Sequence, residues 1–293
     1  MSDDTKVIRR ATGLLVIEVV NSNPNGDPDR ESDPRMRPDE RGEISPVSVK
    51  RKIRDLVSDK EGPVWAQLAR SNGTTPLDPA DFAILESRGR DRNEIVQDIK
   101  NEKFVKKYWD ARVFGNTFLE EKLSEHLRSG VVQFGLGVSV APIRIERLTT
   151  TNKSGVQEGK DRGMAPLGFR VVEHAVYTMP FFVNSSAAKK SGCTSQDIEV
   201  LQGTIPFIFS QTSSYVRSQV EIKKAWYVEH KSPLGSASDF ELIAALTPKK
   251  ICEDKPSQSW SEYEVPSDLP GHLSSRVLPL RDLMVEAYAL AGA

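Results

Sequence analysis

The sequence predicts an α+β fold, because segments of strand character alternate along the chain with helical segments. The clearest strand segment, residues 11–20, reads ATGLLVIEVV and is rich in β-branched and aliphatic residues. The two clearest helical segments, 45–58 and 195–209, place apolar residues three or four positions apart. Without its insertions the order is β–α–β–β–α–β, which predicts a ferredoxin-like sheet with helices on one face.

Length and composition are those of an ordinary globular protein. The chain has 293 residues, 38% of them hydrophobic, with 40 basic and 41 acidic side chains. Its two cysteines, Cys193 and Cys252, are too few for a disulfide framework. The opening MSDDTKVIRR is too polar for a signal peptide, and the apolar run 14–20 is too short to span a membrane. We therefore expect a cytoplasmic protein with no membrane partner.

The first strand is followed by a polar loop and then by the first helix. The loop begins NSNPNGDPDRESDP, and its prolines and glycines exclude regular structure until about Glu43. Ser45 is suited to cap the following helix, with Pro46 in its first turn. One apolar face of this helix is predicted to be buried: Val49, Ile53, Leu56 and Val57.

The rest of the chain supplies the remaining elements. In chain order they are a helical insertion at 60–130, a strand at 131–150, a polar hairpin-like stretch at 150–168, a strand at 168–183, the second helix at 195–209, a strand at 220–230, and a tail from 239 that contains two short helices. Ser195 is the expected cap of the second helix.

No motif for a catalytic metal or a cofactor is found. The four histidines are separated by 40 residues or more, and neither cysteine has a partner at C-x-x-C spacing. P-loop, G-x-S-x-G and H-E-x-x-H strings do not occur. We therefore predict no metal site and no cofactor.

The loop after the first strand carries acidic residues at alternate positions: Asp27, Asp29, Glu31 and Asp33. Their spacing does not fit a calcium loop, because Pro38 stands where the closing glutamate is required. Two interpretations remain: a solvated loop, or carboxylates that place a divalent ion beside a phosphodiester.

Two basic segments favour a nucleic-acid partner although the total charge is near zero. Residues 35–54 hold seven basic and three acidic side chains, and residues 144–170 hold six basic and three acidic ones. Clustered lysines and arginines bind phosphates without reading sequence. A solvated, charged helix face would give the same pattern in the first segment, and a turn with buried anchors would explain the second.

Several sequence motifs follow one another in a characteristic order: NSNPNGDP (21–28), GEISPVSVKRKIRD (42–55), DARVFG (110–115), VVQFGLGVSVAPI (131–143), and two longer stretches at 168–201 and 226–243. This series resembles the backbone subunit of CRISPR Cascade complexes, the Cas7 family, and in particular its type I-C, Csd-two-like branch. The resemblance covers nearly the whole chain. Two segments, 163–168 and 211–220, depart from the type I-C pattern.

The resemblance implies an RRM-like βαββαβ palm with a helical fingers insertion and a β-hairpin thumb. The corresponding segments are a first part of the palm at 1–59, the fingers at 60–130, a palm strand at 131–144, the thumb at 145–168, a second part of the palm at 169–238, and an acidic C-terminal segment that packs on the palm at 239–293.

The resemblance also implies a non-catalytic function. Members of the family polymerise along a CRISPR RNA, hold its backbone and leave its bases free to pair with a target DNA strand. The implied partners are the guide RNA, the target DNA strand, further copies of the chain, the Cas-five, large and small Cascade subunits, a recruited helicase–nuclease and anti-CRISPR proteins. The alternative is a metal-dependent RNA endonuclease of the type III kind, with Asp27, Asp29 or Asp33 as the loop aspartate.

The expected RNA-binding residues combine the loop, the first helix and the thumb. They are Asn21, Asn23, Asn25, Ser45, Lys50, Arg51, Arg54, Arg144, Lys160 and Arg162. Met164 and Leu167 are the expected wedge at the base that the thumb flips out. Residues 239–293 hold five basic and nine acidic side chains, so we expect this tail to face a neighbour or solvent, away from the guide.

Overall fold

A computed structural model describes residues 7–71, 76–89, 91–116, 129–152, 165–252 and 254–291. The strands are β1 (Ala11–Ser22), β2 (Arg41–Ile44), β3 (Val132–Phe134), β4 (Gly137–Pro142), β5 (Ile145–Asn152), β6 (Ala165–Val183), β7 (Val220–Glu229), β8 (Lys249–Lys250), β9 (Tyr263–Glu264) and β10 (Arg281–Asp282). The helices are α1 (Pro46–Ser58), α2 (Pro63–Ser71), α3 (Arg92–Lys100), α4 (Phe104–Lys107), α5 (Trp109–Phe114), α6 (Ser185–Ser191), α7 (Ser195–Thr204), α8 (Asp239–Leu246), α9 (Gly271–Ser274) and α10 (Leu283–Ala291).

The fold is a mixed α/β arrangement around a mainly antiparallel sheet. Eight strands form this sheet in the order β10-β7-β1-β6-β4-β2, and β3 and β5 also pair with β6. The strand β1 lies between β6 and β7, so that Ala11 pairs with Val183 on one side and with Glu229 on the other. Its central position explains why its sequence is apolar on both faces.

The alternation of side chains along β1 divides the core into two parts. Leu15 and Ile17 lie in one buried cluster, and Leu14 and Val16 lie in another. Since successive strand side chains point to opposite faces, the two clusters lie on the two sides of the sheet.

The larger cluster lies beneath the helices. The four apolar residues predicted for one face of the first helix are all buried here: Val49, Ile53, Leu56 and Val57. Side chains of α2, α5 and α7 complete the cluster, and Trp109 is fully buried. The expectation of an amphipathic helix against the sheet is confirmed.

The second face of the sheet is covered by the C-terminal part of the chain. Leu242, Tyr263 and Leu269 pack against Trp226 of β7. The segment 239–280 therefore buries a sheet face that would otherwise be exposed. In the described ranges, no helix combines the length and apolar character needed to cross a membrane.

Two details differ from the sequence-based expectations at the second helix. Thr194, not Ser195, is its N-cap, because the Thr194 side chain accepts from the Asp197 N–H while the Asp197 carboxylate accepts from the Thr194 N–H. The helix ends at Thr204 and continues as a 3₁₀ turn, since Pro206 has no N–H to donate.

The single strand expected at 131–150 is three strands. Gly135 lies between β3 and β4, and its N–H donates to the Pro180 carbonyl at 2.8 Å. Between β4 and β5 the Ile143 N–H donates to Glu40, outside the β6 ladder. These interruptions let β3, β4 and β5 pair with successive parts of the long strand β6.

Candidate nucleic-acid interface

A cleft of about 340 Å³ lies between the loop after β1, the base of the β5–β6 hairpin and the segment that precedes β7. Its polar lining consists of Asn23, Glu31, Ser32, Asp33, Arg147, Arg170 and Arg217. The cleft therefore joins one of the predicted loop residues with basic residues from two distant parts of the chain.

Hydrogen bonds between β1 and the start of β7 position the loop. The Asn23 N–H donates to the Val216 carbonyl at 2.7 Å, and Arg217 Nε donates to the Asn23 carbonyl at 3.1 Å. Ser22 Oγ accepts from the Gln219 N–H at 3.0 Å. These contacts hold Asn23 at the floor of the cleft with 6% of its surface exposed.

One polar atom of the Asn23 side chain is hydrogen-bonded, and the other has no partner among the described residues. Its Nδ2 donates to the Ser32 carbonyl at 2.7 Å. Its Oδ1 is buried and has no hydrogen-bond partner within the part of the chain that the structure describes. The polar atom left without a partner is therefore an acceptor.

Two arginines stand directly opposite each other at the mouth of the cleft. Arg147 of β5 and Arg170 of β6 are cross-strand partners. Arg170 forms an ion pair with Asp33, whereas Arg147 has no carboxylate partner among the described residues and packs over Gly168. Like charges in directly opposed positions destabilise a hairpin. Asp33 neutralises Arg170, so Arg147 is the member of the pair at which a bound anion would add a counter-charge.

An aromatic pair adjoins these cations. Phe169 lines the cleft, and its ring centroid lies 5.2 Å from that of Tyr215. The Tyr215 side chain is 73% exposed. An exposed ring beside guanidinium groups can stack on a nucleobase.

The predicted loop residues nearer to α1 have structural contacts. Asn25 Oδ1 accepts from the Ser45 N–H at 2.6 Å, and Ser45 Oγ caps the helix by accepting from the Val47 N–H at 3.2 Å. Asn21 differs from these residues, since it lies near the end of β1, is exposed and adopts a left-handed backbone with φ of 42°. These contacts fix the loop against the start of α1.

The three predicted cations of α1 have different surroundings. Arg54 forms a buried ion pair with Asp110 at 2.7 Å. Arg51 pairs with Asp55 at 2.9 Å and donates to the Glu86 carbonyl at 3.1 Å. Lys50 lies 5.3 Å from the centre of the Phe114 ring, and no carboxylate of the described ranges pairs with it. Burial, together with the positive charge of Arg54, lowers the pKa of Lys50. Because it has no carboxylate partner among the described residues, Lys50 is the α1 cation that a phosphate could pair with most directly.

Lys52, Arg147, Arg170 and Arg217 were not among the predicted site residues. Lys52 is buried and donates to the carbonyl and to Oγ1 of Thr212, at 3.2 and 2.6 Å. Burial, followed by the positive charge of Arg217, lowers the pKa of Lys52 to about 8, and Asp55 opposes the shift. The high density of basic residues in 144–170 was the available signal for Arg147 and Arg170.

The acidic loop forms a tight turn. The Asp27 N–H donates to the Asp33 carbonyl at 2.7 Å, and Asp27 Oδ1 accepts from the Asp29 N–H at 3.2 Å. Across the described residues, no group of three or more histidine, cysteine, aspartate or glutamate side chains is arranged to hold a metal ion.

The remaining predicted residues are those assigned from the sequence to the thumb and its flank. Arg144 is exposed and lies 3.4 Å from the Glu173 carboxylate. Leu167 lies in β6 opposite Thr150. Lys160, Arg162 and Met164 lie outside the described residues.

Comparisons with known proteins identify relatives. The family model described as CRISPR-associated protein Cas7 matches residues 9–268. A solved chain of a "CRISPR RNA-guided surveillance complex, pre-nicking" has 12% identity and a TM-score of 0.49, over 75% of this chain and 78% of that chain. A chain of a "CRISPR RNA-guided surveillance complex" has 14% identity and a TM-score of 0.46, over 81% and 75%. A chain of the "Type III-B Cmr-beta bound to cognate target RNA" has 12% identity and a TM-score of 0.41, over 75% and 61%. No match is found among curated proteins.

Proposed function

We propose, from the premise that this chain belongs to the CRISPR-associated protein Cas7 family, that it is a non-catalytic subunit that binds the backbone of a guide RNA. In this proposal the chain polymerises along the guide in a type I-C Cascade complex and presents its bases to a target DNA strand. The other Cascade subunits, the recruited helicase–nuclease, anti-CRISPR proteins and a cytoplasmic location belong to the same proposal.

The strand order supports assigning the family's palm to this sheet. The four strands β7-β1-β6-β4 lie side by side in the order that a βαββαβ ferredoxin-like unit adopts. In this assignment residues 60–130 are the fingers, and the β5–β6 hairpin is the thumb.

The covered face of the sheet indicates where RNA would run. RRM domains bind RNA on the open face of the sheet through exposed aromatic side chains. Here Tyr263, Leu269 and other residues of 239–280 occupy that face. We therefore place the guide along the cleft at the end of β1, beside the hairpin, and not across the sheet.

The observation that carries the proposal is the opposed pair Arg147 and Arg170, with Arg217 in the same cleft. An RNA phosphate placed between these guanidinium groups would relieve their repulsion and release counterions. Such contacts do not read base edges. That property suits a subunit that must accept guides of any sequence.

The experiment is a salt titration of RNA binding. Arg147→Gln removes a cation with no protein carboxylate partner among the described residues, so we expect weaker binding to every RNA sequence. The slope of log K against log salt should fall by about 0.7 for each lost contact with single-stranded RNA. The matched control is Arg276→Gln, an exposed arginine outside the cleft. Equal affinities and slopes for wild type, variant and control would refute the proposed interface.

A further inference from the structure

We propose that the Oδ1 atom of Asn23 accepts a hydrogen bond from the 2′-hydroxyl of one guide nucleotide, so that the cleft selects RNA over DNA. The inference rests on the proposed function, since it specifies how the same cleft recognises its ligand. It makes Asn23 a specificity-determining residue and leaves phosphate binding to the arginines.

The hydrogen bond of the Asn23 amide shows which of its polar atoms remains unpaired. Its Nδ2 donates to the carbonyl oxygen of Ser32, which can only accept. The amide is therefore fixed with Oδ1 as its remaining polar atom. A bound group must supply a donor to satisfy it.

A buried acceptor without a partner is costly. Asn23 exposes only 6% of its surface, and no described residue donates a hydrogen bond to its Oδ1. Leaving such a group unpaired costs about 1–3 kcal/mol, which corresponds to roughly 5- to 160-fold in an equilibrium constant. A ligand that supplies the missing donor recovers that factor as affinity.

The surrounding cations restrict the chemistry of that ligand. Arg147, Arg170 and Arg217 line the same cleft together with two carboxylates, Glu31 and Asp33, and the surplus of positive charge attracts a polyanion. The phosphates and the sugar ring oxygen of a nucleic-acid backbone only accept hydrogen bonds. The 2′-hydroxyl of RNA is the one backbone group along the strand that can donate, and DNA lacks it.

A nucleobase amino or imino group could also donate to Oδ1. Such a contact would depend on the base, and it would therefore make the affinity sequence-dependent. The 2′-hydroxyl is present at every nucleotide. The two donors are separated by comparing oligonucleotides of adenine, uracil and cytosine.

The experiment compares a short single-stranded RNA with 2′-fluoro RNA of the same sequence. Fluorine keeps the RNA-type sugar pucker but cannot donate a hydrogen bond. We expect the wild-type protein to bind the 2′-fluoro strand about tenfold more weakly, with the same ratio for all three bases. Equal binding of the two strands by the wild-type protein would overturn the inference, as would a ratio found with one base only.

Two variants complete the design. Asn23→Leu removes the acceptor, so the ratio of the two affinities should fall to about one, whatever the change in absolute affinity. Arg147→Gln should weaken binding of both strands and retain the ratio. A ratio retained in Asn23→Leu would contradict the inference. If the wild-type protein binds neither strand, the proposed function itself is refuted. If it binds RNA and 2′-fluoro RNA with equal affinity, only the role of Asn23 is refuted.

Discussion

Arg54 Nε donates to Asp110 Oδ2 at 2.7 Å, and this ion pair is buried between α1 and α5. Asp110 also accepts from the N–H groups of Leu85 and Glu86, at 2.7 and 3.1 Å. Arg54, which the sequence predicted to bind the guide, thus connects α1 to α5 and, through Asp110, to the segment that contains Leu85 and Glu86.

We expect Arg54→Gln to lower the free energy of unfolding by about 3 kcal/mol, because it leaves the Asp110 carboxylate buried without its counter-charge. Urea unfolding followed by circular dichroism measures the change. The control is Arg51→Gln, whose exposed pair with Asp55 should contribute less than about 1 kcal/mol. If both variants lower the free energy of unfolding by the same amount, the buried ion pair contributes no more to stability than the exposed one, and the prediction is wrong.

Lys50→Gln should weaken RNA binding while the free energy of unfolding stays close to that of wild type. Lys50 has an aromatic contact and no carboxylate partner among the described residues, so its charge is available to a phosphate. The salt slope should fall by about 0.7. Lys189→Gln, an exposed lysine on α6, is the charge-matched control. If both variants bind RNA as wild type does, the start of α1 is not part of the guide path.

Arg112 is expected to be essential for folding. It forms a buried two-point ion pair with Asp197, at 3.0 and 2.7 Å, and also donates to the carbonyl of Asp81 at 2.8 Å. Arg112→Ala should lower the free energy of unfolding by about 3–5 kcal/mol. A denaturation midpoint within error of wild type would disprove this role.

The pH dependence of stability should report on Lys52. The folded chain releases the Lys52 proton above about pH 8, whereas the unfolded chain keeps it up to its ordinary pKa of 10.5. Between these values the unfolded state binds more protons, so this group makes the free energy of unfolding rise with pH. Lys52→Met should reduce that rise and leave the part due to Lys60, whose pKa burial lowers to about 7. A variant that keeps the wild-type pH slope in this window would contradict the assignment.

The absence of catalysis is a separate prediction. A guide complex incubated with matched target RNA and magnesium should leave the RNA intact. Asp27, Asp29 and Asp33 lie in a tight turn, and Asp33 is paired with Arg170. Cleavage at regular intervals that is abolished by Asp27→Ala would establish the endonuclease alternative.

The features predicted best from sequence are those with local causes. The first helix begins where Ser45 and Pro46 place it, because capping and proline preferences act within one turn. The burial of Ile53 and its neighbours follows from helical periodicity. Local periodicity also predicts the mixed α/β architecture. The division of 131–150 into three strands could not be predicted in this way, because it depends on pairing with distant residues.

The cleft depends on contacts that no local pattern contains. Arg217 reaches the Asn23 carbonyl across a sequence separation of 194 residues, and Arg147 meets Arg170 through the register of a hairpin. The partner of Arg54 is 56 residues away. Charge density alone could not separate Arg54, which is ion-paired with Asp110, from Lys50, which has no carboxylate partner in the described part of the chain.

The most direct test of the central claim is the size of the particle that the chain forms with RNA. The purified protein, expressed together with guides of two lengths, is examined by light scattering and by electrophoresis of the bound RNA. If the chain polymerises on a guide, each preparation contains RNA of one defined length, and the particle mass increases with that length. A monomer whose mass does not depend on the guide, or a preparation without RNA, would contradict the account.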